Sequence, residues 1–381
     1  SGSARSGVAS EGRVYHLSTG RRPQAPLCGR RARTGGEDRC KSTGISMQEK
    51  KEYTIYDIAR MADVSATTVS RVLTNNPHVN KATRARVQKY IDQCHYVPNE
   101  TARGLVTQSS KLIGILISDL RLTHHADGVF YVEQELAEHG YLCLILNTGV
   151  EEASMAKHIQ LLSQRKVDAA VFMGSIYQTE TVKQAITTYM SQTPVILCNG
   201  YLDLPNVYGV IADERFGVAN CVELLIRKGK KHLAFLMDRA TPSNLAKQQG
   251  FEFAVLHDLP GQSPLVVVSG NSTRFGALEA TADLLKQHPE TDGIIYADDV
   301  QASVGIRALQ QMGKRVPEDV AVIGINNSFY AEMSTPALTS LDNMLYDQSM
   351  TAAKTILDIL GGNRVNKRVV LCSEIVERET T

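Results

Sequence analysis

Residues 54–73, TIYDIARMADVSATTVSRVL, are the first regularly patterned stretch of this chain and decide what kind of domain lies near its N-terminal end. Thr54 and Asp57 have the spacing of a capping box, in which two side chains satisfy backbone N–H groups reciprocally at the start of a helix. A short helix is therefore predicted over residues 55–62, with its apolar face turned to a small core.

A second and a third helix are predicted at short intervals. Asp63 tolerates left-handed backbone in a tight turn, and Ser65 is a favourable N-cap for a helix over residues 66–73. Asn80 is a favourable cap for a third helix, over residues 81–94. Two short helices joined by a turn of three to four residues indicate a helix-turn-helix unit, whose second helix enters the DNA major groove. The alternative interpretation is three packed helices with no role at DNA.

The second predicted helix has side chains that are suited to reading base edges. Arg71 can donate two hydrogen bonds to guanine O6 and N7, while the short Ala66 and Thr67 can meet a thymine methyl group or a base edge. Other polar side chains are candidate phosphate contacts, which position a protein without specifying sequence. The predicted DNA contacts of this stretch are Thr54, Tyr56, Ser65, Ala66, Thr67, Thr68, Ser70, Arg71 and Asn76.

Charge is distributed unevenly along the 381 residues, although the net charge is only +1. Residues 1–46 hold nine basic and three acidic residues, and residues 47–110 hold nine basic and six acidic residues. The remainder holds 23 basic and 31 acidic residues. A basic N-terminal part joined to an acidic body is typical of a small nucleic-acid-binding unit attached to a separate domain.

Residues 1–46 are rich in Gly, Ser and Arg and lack periodicity. We therefore expect an unstructured segment, either added or derived from upstream sequence, with patterned sequence beginning just after Met47. The alternative is a basic arm that grips DNA phosphates.

Composition argues against several classes of protein. A hydrophobic content of 43% with 21% charged residues is ordinary for a globular protein, and the longest apolar runs are far shorter than the ~20 residues of a membrane span. Neither a secretory signal nor a CxxC pair is present, and the seven cysteines are dispersed, which favours reduced thiols in a cytoplasmic protein. No metal or cofactor is predicted. Because the sequence has no Gly-x-Ser-x-Gly motif and no phosphate loop, we do not expect an enzyme.

From Lys111 onward, short β-branched runs alternate with longer amphipathic stretches. The strand-like runs include residues 112–118, 142–147, 169–173, 195–198, 233–237, 293–296 and 320–325, and the helical stretches include residues 132–140, 217–228 and 301–312. This alternation predicts parallel sheets with crossover helices. Roughly 270 residues exceed one such sheet, so two lobes are expected, with a ligand cleft at the carboxyl ends of the strands.

The N-terminal stretch closely resembles the DNA-binding head of the lactose-repressor (LacI/GalR) family. The resemblance rests on TIYDIA (54–59), VSATTVSRVL (64–73), YVPN (96–99) and ARGL (102–105). It implies that residues 99–110 are a hinge that becomes helical, up to about Thr107, when DNA is bound. The DNA contacts it implies there are Asn99, Ala102 and Leu105. A leucine in the minor groove acts as a wedge that unstacks a base step and kinks the duplex.

The resemblance continues over almost all of residues 111–381, through stretches such as RVPEDVAVIG (315–324) and TPALTS (335–340). It implies an all-α helix-turn-helix head over residues 54–98, followed by an α/β two-lobed, periplasmic-binding-protein-like body that binds an effector and dimerises. The chain is expected to cross between lobes near Val210, Leu341 and Gly361. Lobe one would then comprise about 111–210 and 341–360, and lobe two about 211–340 and 361–381.

Six residues occupy positions that the resemblance assigns to effector binding: His124, His125, Asn199, Lys247, Asp298 and Asn326. Lysine at 247 stands where the family often has arginine, and it lacks the bidentate fork of arginine. The set can bind a polyhydroxyl ligand through paired donors and acceptors, and it also tolerates a phosphorylated or acidic one. The alternatives are surface positions for the histidines, a solvated helix position for Lys247, and a helix cap for Asp299, the neighbour of Asp298.

Two functional hypotheses remain open. The first is a homodimeric repressor of carbohydrate-utilisation genes that binds operator DNA in the nucleoid and responds to a sugar or sugar phosphate in the cleft. The second is a catabolite-control-type regulator that is co-activated by a phosphocarrier protein. The chain ends at Thr381 with no leucine-rich helix after its last predicted strand, which favours a dimer over a tetramer.

Overall fold

A computed structural model of the chain describes residues 14–16, 53–97, 109–270 and 274–381. Contacts between residues divide the chain into two compact units, a head within residues 21–110 and a body that comprises residues 111–381 with the N-terminal residues up to Gly20. Most of the predicted hinge lies outside the described residues, and so do Asn99, Ala102 and Leu105. Among the described residues, no helix has both the length and the apolar composition needed to cross a membrane.

A short strand, Val14–His16 (β1), lies in the segment that we expected to be unstructured. It pairs in parallel with the edge of a body sheet, and Val14 lies opposite Val266. The expectation is therefore wrong for these three residues. The β-branched Val14 and the aromatic Tyr15 favour extended backbone. The edge strand of a sheet has unpaired N–H and C=O groups that can bind a further strand.

The head contains three helices within its described residues 53–97: Ile55–Met61 (α1), Ala66–Leu73 (α2) and Lys81–Cys94 (α3). Each begins after the predicted N-cap residue, whose side chain accepts a hydrogen bond from a backbone N–H of the first turn; these caps are Thr54, Ser65 and Asn80. The capping box is complete, because the Asp57 carboxylate accepts the Thr54 backbone N–H at 2.9 Å. The predicted helices and caps are confirmed.

The turn between α1 and α2 brings the two helices into contact. Asp63 adopts the predicted left-handed backbone, with φ of 49°, and the Val64 N–H donates to the Ala59 carbonyl at 3.0 Å. The core of the head is made by Ile58, Ala59, Ala62, Val69, Val72, Val87 and Ile91. Because α2 supplies Val69 and Val72 to this core, its opposite face is left at the surface.

The body alternates strands with helices, as predicted. Its strands are Leu112–Ile117 (β2), Leu142–Asn147 (β3), Ala169–Met173 (β4), Val195–Cys198 (β5), Val207–Ala212 (β6), Leu233–Met237 (β7), Leu265–Val268 (β8), Gly293–Tyr296 (β9), Ala321–Ile325 (β10), Thr339–Asp342 (β11), Arg368–Leu371 (β12) and Glu374–Val376 (β13). Its helices are Thr123–Glu138 (α4), Glu152–Gln164 (α5), Glu180–Tyr189 (α6), Glu214–Arg227 (α7), Pro242–Asp258 (α8), Arg274–Gln287 (α9), Asp299–Gln311 (α10), Phe329–Met333 (α11) and Leu345–Leu360 (α12).

These elements form two lobes, each built on one sheet. The first sheet has the order β12-β6-β5-β4-β2-β3, and all of its strands are parallel. The second has the order β1-β8-β7-β9-β10-β11-β13 and is parallel except for the pair β11–β13. Central strands such as β4, β5, β7 and β10 are buried along their whole length, as continuous apolar runs in parallel sheets predict.

The chain crosses between the lobes after Ala212, after Asp342 and after Leu371. We expected the third crossing near Gly361, and that expectation is wrong. Residues after Gly361 return to the first sheet, where β12 pairs in parallel with β6 and Val369 lies opposite Val210. The chain can leave the first lobe only after this edge strand has been added.

Gly250 is required where α7 and α8 approach each other. A Cβ atom built at Gly250 would lie 2.1 Å from the carbonyl oxygen of Arg215, which no real contact permits. We expect Gly250→Ala to force the helices apart, at a cost of about 1–3 kcal/mol, and to lower the melting temperature by several degrees. Gln249→Ala, at the exposed neighbouring position, serves as the control. Equal melting temperatures for the two variants would show that the close approach is not needed.

Candidate nucleic-acid interface and ligand cleft

The surface of α2 that faces away from the head's core is polar. Thr67, Ser70 and Arg71 are exposed, and their i, i+3, i+4 spacing places them on one side of the helix. Tyr56 of α1 is 72% exposed. These four predicted DNA contacts are therefore available to a partner at the surface of the head.

Three other predicted DNA contacts also hold the head together. The Thr54 hydroxyl donates to the Asp57 carboxylate at 2.7 Å, and the hydroxyls of Ser65 and Thr68 share a hydrogen bond of 2.9 Å. Local capping orients these side chains, so their hydroxyls are fixed in place before any partner arrives.

Asn76 and Ala66 differ from the remaining predicted contacts. The Asn76 side chain accepts the His78 N–H at 2.9 Å, which stabilises the turn after α2. Ala66 is half-buried and packs partly against the head's core. Only part of the Ala66 surface is therefore open to a partner.

A cavity of about 520 Å³ lies between the two lobes of the body. Its walls come from segments that follow the carboxyl ends of parallel strands, where folds of this kind bind ligands. All six residues that the sequence points to for effector binding line it: His124, His125, Asn199, Lys247, Asp298 and Asn326. We call this cavity the cleft.

His124 and His125 lie in the first turn of α4, with ring centroids 6.0 Å apart. Burial and the nearby charge of Lys247 lower the pKa of His124 to about 3 and that of His125 to about 4. Both rings are therefore neutral near pH 7, and each offers one donor and one acceptor. The Nδ1 of His125 lies 3.5 Å from the Ser118 hydroxyl.

Lys247 is 4% exposed and lines the cleft, so the solvated-helix interpretation of this residue is wrong. Its ammonium donates to the Ala297 carbonyl at 3.0 Å and to the Asn244 side-chain oxygen at 3.4 Å. It also pairs with the Glu214 carboxylate at 3.3 Å, and Glu214 is 3% exposed. A buried ion pair of this kind lies where a ligand would meet both charges.

Asp298 and Asp299 have roles opposite to the alternative considered from sequence. Asp298 caps α10 and accepts the Gln301 N–H at 2.8 Å. Asp299 instead accepts the Ser328 N–H at 2.6 Å and the Ser340 hydroxyl at 2.6 Å. Burial raises the pKa of both carboxyls, that of Asp299 to about 6. The helix cap is therefore Asp298, and Asp299 tethers the loop after β10.

Asn199 and Asn326 end strands in left-handed backbone, with φ of 58° and 107°. Asn199 accepts the Ala212 N–H at 3.4 Å, and Asn326 accepts from the Asn343 amide at 3.1 Å. Non-glycine residues in such conformations cost of order 1–3 kcal/mol each and cluster at ligand sites. The surrounding hydrogen bonds hold both side chains at the cleft.

Sequence reasoning missed Glu214, Gln301 and Asn343. Two of them could have been found from sequence position. Glu214 and Asn343 follow closely on the carboxyl ends of β6 and β11, where ligand-site residues concentrate. Only the structure singles out Gln301. Its Oε1 and the His124 Nδ1 are buried without a hydrogen-bond partner in the part of the chain that the structure describes.

Buried polar atoms in native proteins are normally paired. Gln301 and His124 both line the cleft, although the two unpartnered atoms themselves are enclosed by protein. The cleft is therefore a candidate binding site, and many of its polar side chains are held by hydrogen bonds within the protein.

Comparisons with known proteins agree with both parts of the structure. Residues 54–99 match the family of bacterial regulatory proteins called the lacI family, and residues 222–381 match a periplasmic binding protein-like domain. An HTH-type transcriptional regulator of Lachnoclostridium phytofermentans is 33% identical over 330 residues, which are 86% of this chain and 99% of that protein. The chain belongs to the LacI family. It is a DNA-binding transcriptional regulator and not an enzyme, as the sequence predicted.

Other relatives have more specific names. The ribose operon repressor of Halalkalibacterium halodurans is 28% identical, over 86% of this chain and 97% of its own length. Catabolite control protein A of Priestia megaterium is also 28% identical, over 86% of this chain and 99% of its own length.

Solved structures establish the LacI-family fold. A lac repressor dimer bound to operator and an anti-inducer superposes with a TM-score of 0.78 at 22% identity, over 87% of this chain and 99% of that one. A complex of the transcriptional regulator CelR with cellobiose gives a TM-score of 0.63 at 24% identity, over 86% and 100%. The predicted fold class, a helix-turn-helix head with a two-lobed α/β body, is confirmed.

The neutral histidines predict a pH dependence of stability. Folding depresses the pKa of His124 and His125 below the ordinary value of 6.5, so the unfolded chain binds more protons between the two values. Stability is then full above about pH 6.5 and falls as the pH drops towards 4. We expect His124→Asn/His125→Asn to lessen the fall in melting temperature between about pH 7.5 and pH 5.

His257→Asn is the control for this experiment, since the His257 ring is 74% exposed. It should retain the full pH dependence of the wild type. An equally steep fall in the double variant would contradict the assignment of the two cleft histidines as neutral buried groups.

Proposed function

We propose that this LacI-family regulator is a homodimeric repressor whose affinity for operator DNA is controlled by a small polyhydroxyl effector in the cleft. The observation that supports it most directly is the interlobe cavity of about 520 Å³, which is lined by all six residues that the sequence assigned to effector binding. Because operator DNA lies in the nucleoid, we place this activity in the bacterial cytoplasm.

The DNA-reading part of the proposal rests on α2. Arg71 is exposed, next to Thr67 and Ser70 on the same side of the helix, and an arginine there can donate a bidentate pair to guanine. Tyr56, Thr54, Ser65, Thr68 and Asn76 supply hydroxyl, amide and aromatic groups around it, which suit phosphate contacts. Asn99, Ala102 and Leu105 remain predicted contacts of the hinge.

Dimerisation is supported by apolar side chains at the surface of the first lobe. Phe130 on α4 is 56% exposed, and Leu142 and Ile145 on the edge strand β3 are 67% and 38% exposed. Exposed apolar groups on neighbouring elements are typical of a protein interface. The lac repressor structure that superposes on this chain is a dimer bound to operator, and two heads would match a pseudo-palindromic site.

The effector part of the proposal rests on the donors and acceptors of the cleft. The two neutral imidazoles and the amides of Asn199 and Asn326 can each both donate and accept, as the hydroxyls of a sugar do. Among the relatives, one is named a ribose operon repressor and one structure is a cellobiose complex. A carbohydrate or a similar polyol is therefore the ligand class that we propose.

Arg71→Ala tests the DNA-reading surface. Loss of one bidentate base contact is worth about 1–3 kcal/mol, so we expect operator affinity to fall about 5- to 150-fold with a much smaller effect on unrelated DNA. Arg86→Ala removes the same charge from an exposed position of α3 and is the control. Equal losses for operator and unrelated DNA in Arg71→Ala would mean that Arg71 contacts phosphate and does not read a base.

The effector model predicts that a sugar in the cleft weakens operator binding, with a coupling of about 5- to 150-fold as is usual for allosteric ligands. Fluorescence anisotropy of operator DNA with a panel of pentoses, hexoses and disaccharides measures it. Linkage requires that operator weakens sugar binding by the same factor. Lys247→Gln should reduce the response, and no shift with any sugar would exclude the inducer model.

A second candidate is a regulator whose trigger is a phosphocarrier protein. It is favoured by the relatives named catabolite control protein A. The same anisotropy experiment separates the two candidates. In the second case, operator affinity rises with the phosphorylated carrier and is unaffected by the sugar panel.

A further inference from the structure

The Lys247 ammonium has three acceptors around it. They are the Ala297 carbonyl at 3.0 Å, the Glu214 carboxylate at 3.3 Å and the Asn244 oxygen at 3.4 Å. An ammonium has three N–H donors, so the protein itself can satisfy all of them. The charge of Lys247 is therefore compensated within the protein.

Glu214 is held in place by side chains from the other two interlobe crossings. Its Oε1 accepts from the Asn343 amide at 2.9 Å, and the Ser373 hydroxyl donates to the Asn343 oxygen at 3.4 Å. Glu214, Asn343 and Ser373 are 3%, 1% and 8% exposed. The carboxylate cannot turn away from Lys247 without breaking this buried contact.

The remaining basic side chains in the described cleft lining also lie against carboxylates. Arg121 pairs with Asp119 at 2.7 Å, and Arg239 pairs with Asp238 at 3.1 Å. The histidines next to Lys247 are neutral near pH 7. Since Asp298 and Asp299 add two further carboxyl groups to the lining, the cleft offers hydrogen bonds but little net positive charge.

We propose that Glu214 is the residue that sets the charge preference of the cleft: it cancels Lys247, so the cleft accepts uncharged hydroxylated ligands and excludes phosphate and carboxylate anions. An anion that reaches Lys247 also meets Glu214, so attraction and repulsion largely offset each other while the anion loses its hydration. A hydroxyl group can instead donate to Glu214 and loses far less on leaving water. This inference rests on the proposed function for the identity of the site. It excludes phosphorylated ligands, which the sequence alone had left as candidates.

Glu214→Gln tests the inference, because glutamine keeps the shape and an oxygen that accepts from Asn343 but removes the charge. In the full-length chain, inorganic phosphate is compared with chloride at equal ionic strength. We expect phosphate to raise the unfolding midpoint of E214Q, since a ligand of the native state stabilises it, and to leave the wild type unchanged. By calorimetry, phosphate should bind E214Q at least about tenfold more tightly than the wild type, as expected for charge-assisted hydrogen bonds.

The double variant E214Q/K247Q is the matched control. It lacks the uncompensated cation and should not respond to phosphate. It should also be more stable than E214Q, because an unpaired buried charge is what destabilises the single variant. If E214Q is unfolded without added anion, phosphate should restore its unfolding transition, and failure to do so overturns the proposal.

Equal phosphate affinity of the wild type and E214Q would also overturn the proposal. So would a phosphate response in E214Q/K247Q that is as large as that of E214Q. A separate arm compares ribose with ribose 5-phosphate and glucose with glucose 6-phosphate on the wild type, where a response to a phosphorylated member contradicts the proposal. If no neutral sugar binds, the proposed function fails, while the phosphate result for E214Q still decides the role of Glu214.

Discussion

The contact between Glu214 and Asn343, extended to Ser373, joins the three segments that cross between the lobes of the body. These side chains are buried, and a hydrogen-bonded polar cluster in a low-dielectric interior is both strong and costly to leave partly satisfied. The positions of the two walls of the cleft therefore depend on this cluster. Because Glu214 also pairs with Lys247, the chemistry of the cleft and the geometry of the crossings share one carboxylate.

The two roles of Glu214 give a reason for the buried ion pair other than stability. Taking a lysine and a glutamate out of water costs several kcal/mol per ion, and their attraction often no more than offsets that cost. Both side chains line the cleft, which agrees with a role in the proposed effector site. Asn199 and Asn326 also have positive φ and line the same cleft, and strained backbone of this kind clusters at functional sites.

Much of the fold was predictable because its signals are local. The caps at Thr54, Ser65 and Asn80 and the apolar runs of the central strands depend on neighbouring residues, and the structure has them where the pattern indicates. The strand Val14–His16 and the third crossing after Leu371 were not predictable from pattern alone. Each depends on pairing with a strand far away in the chain, and short edge strands have too few residues to show a period.

For the cleft, the sequence by itself determined the residue types at the carboxyl ends of the strands, because parallel β/α units place those ends together whatever the details of packing. The tertiary structure alone decided what each residue does: that Asp298 caps a helix while Asp299 tethers a loop, and that the histidines are neutral. It also decided that Lys247 is compensated by Glu214, 33 residues earlier in the chain. Burial and charge compensation depend on groups brought together from different elements, and these distances exist only after the two lobes have packed.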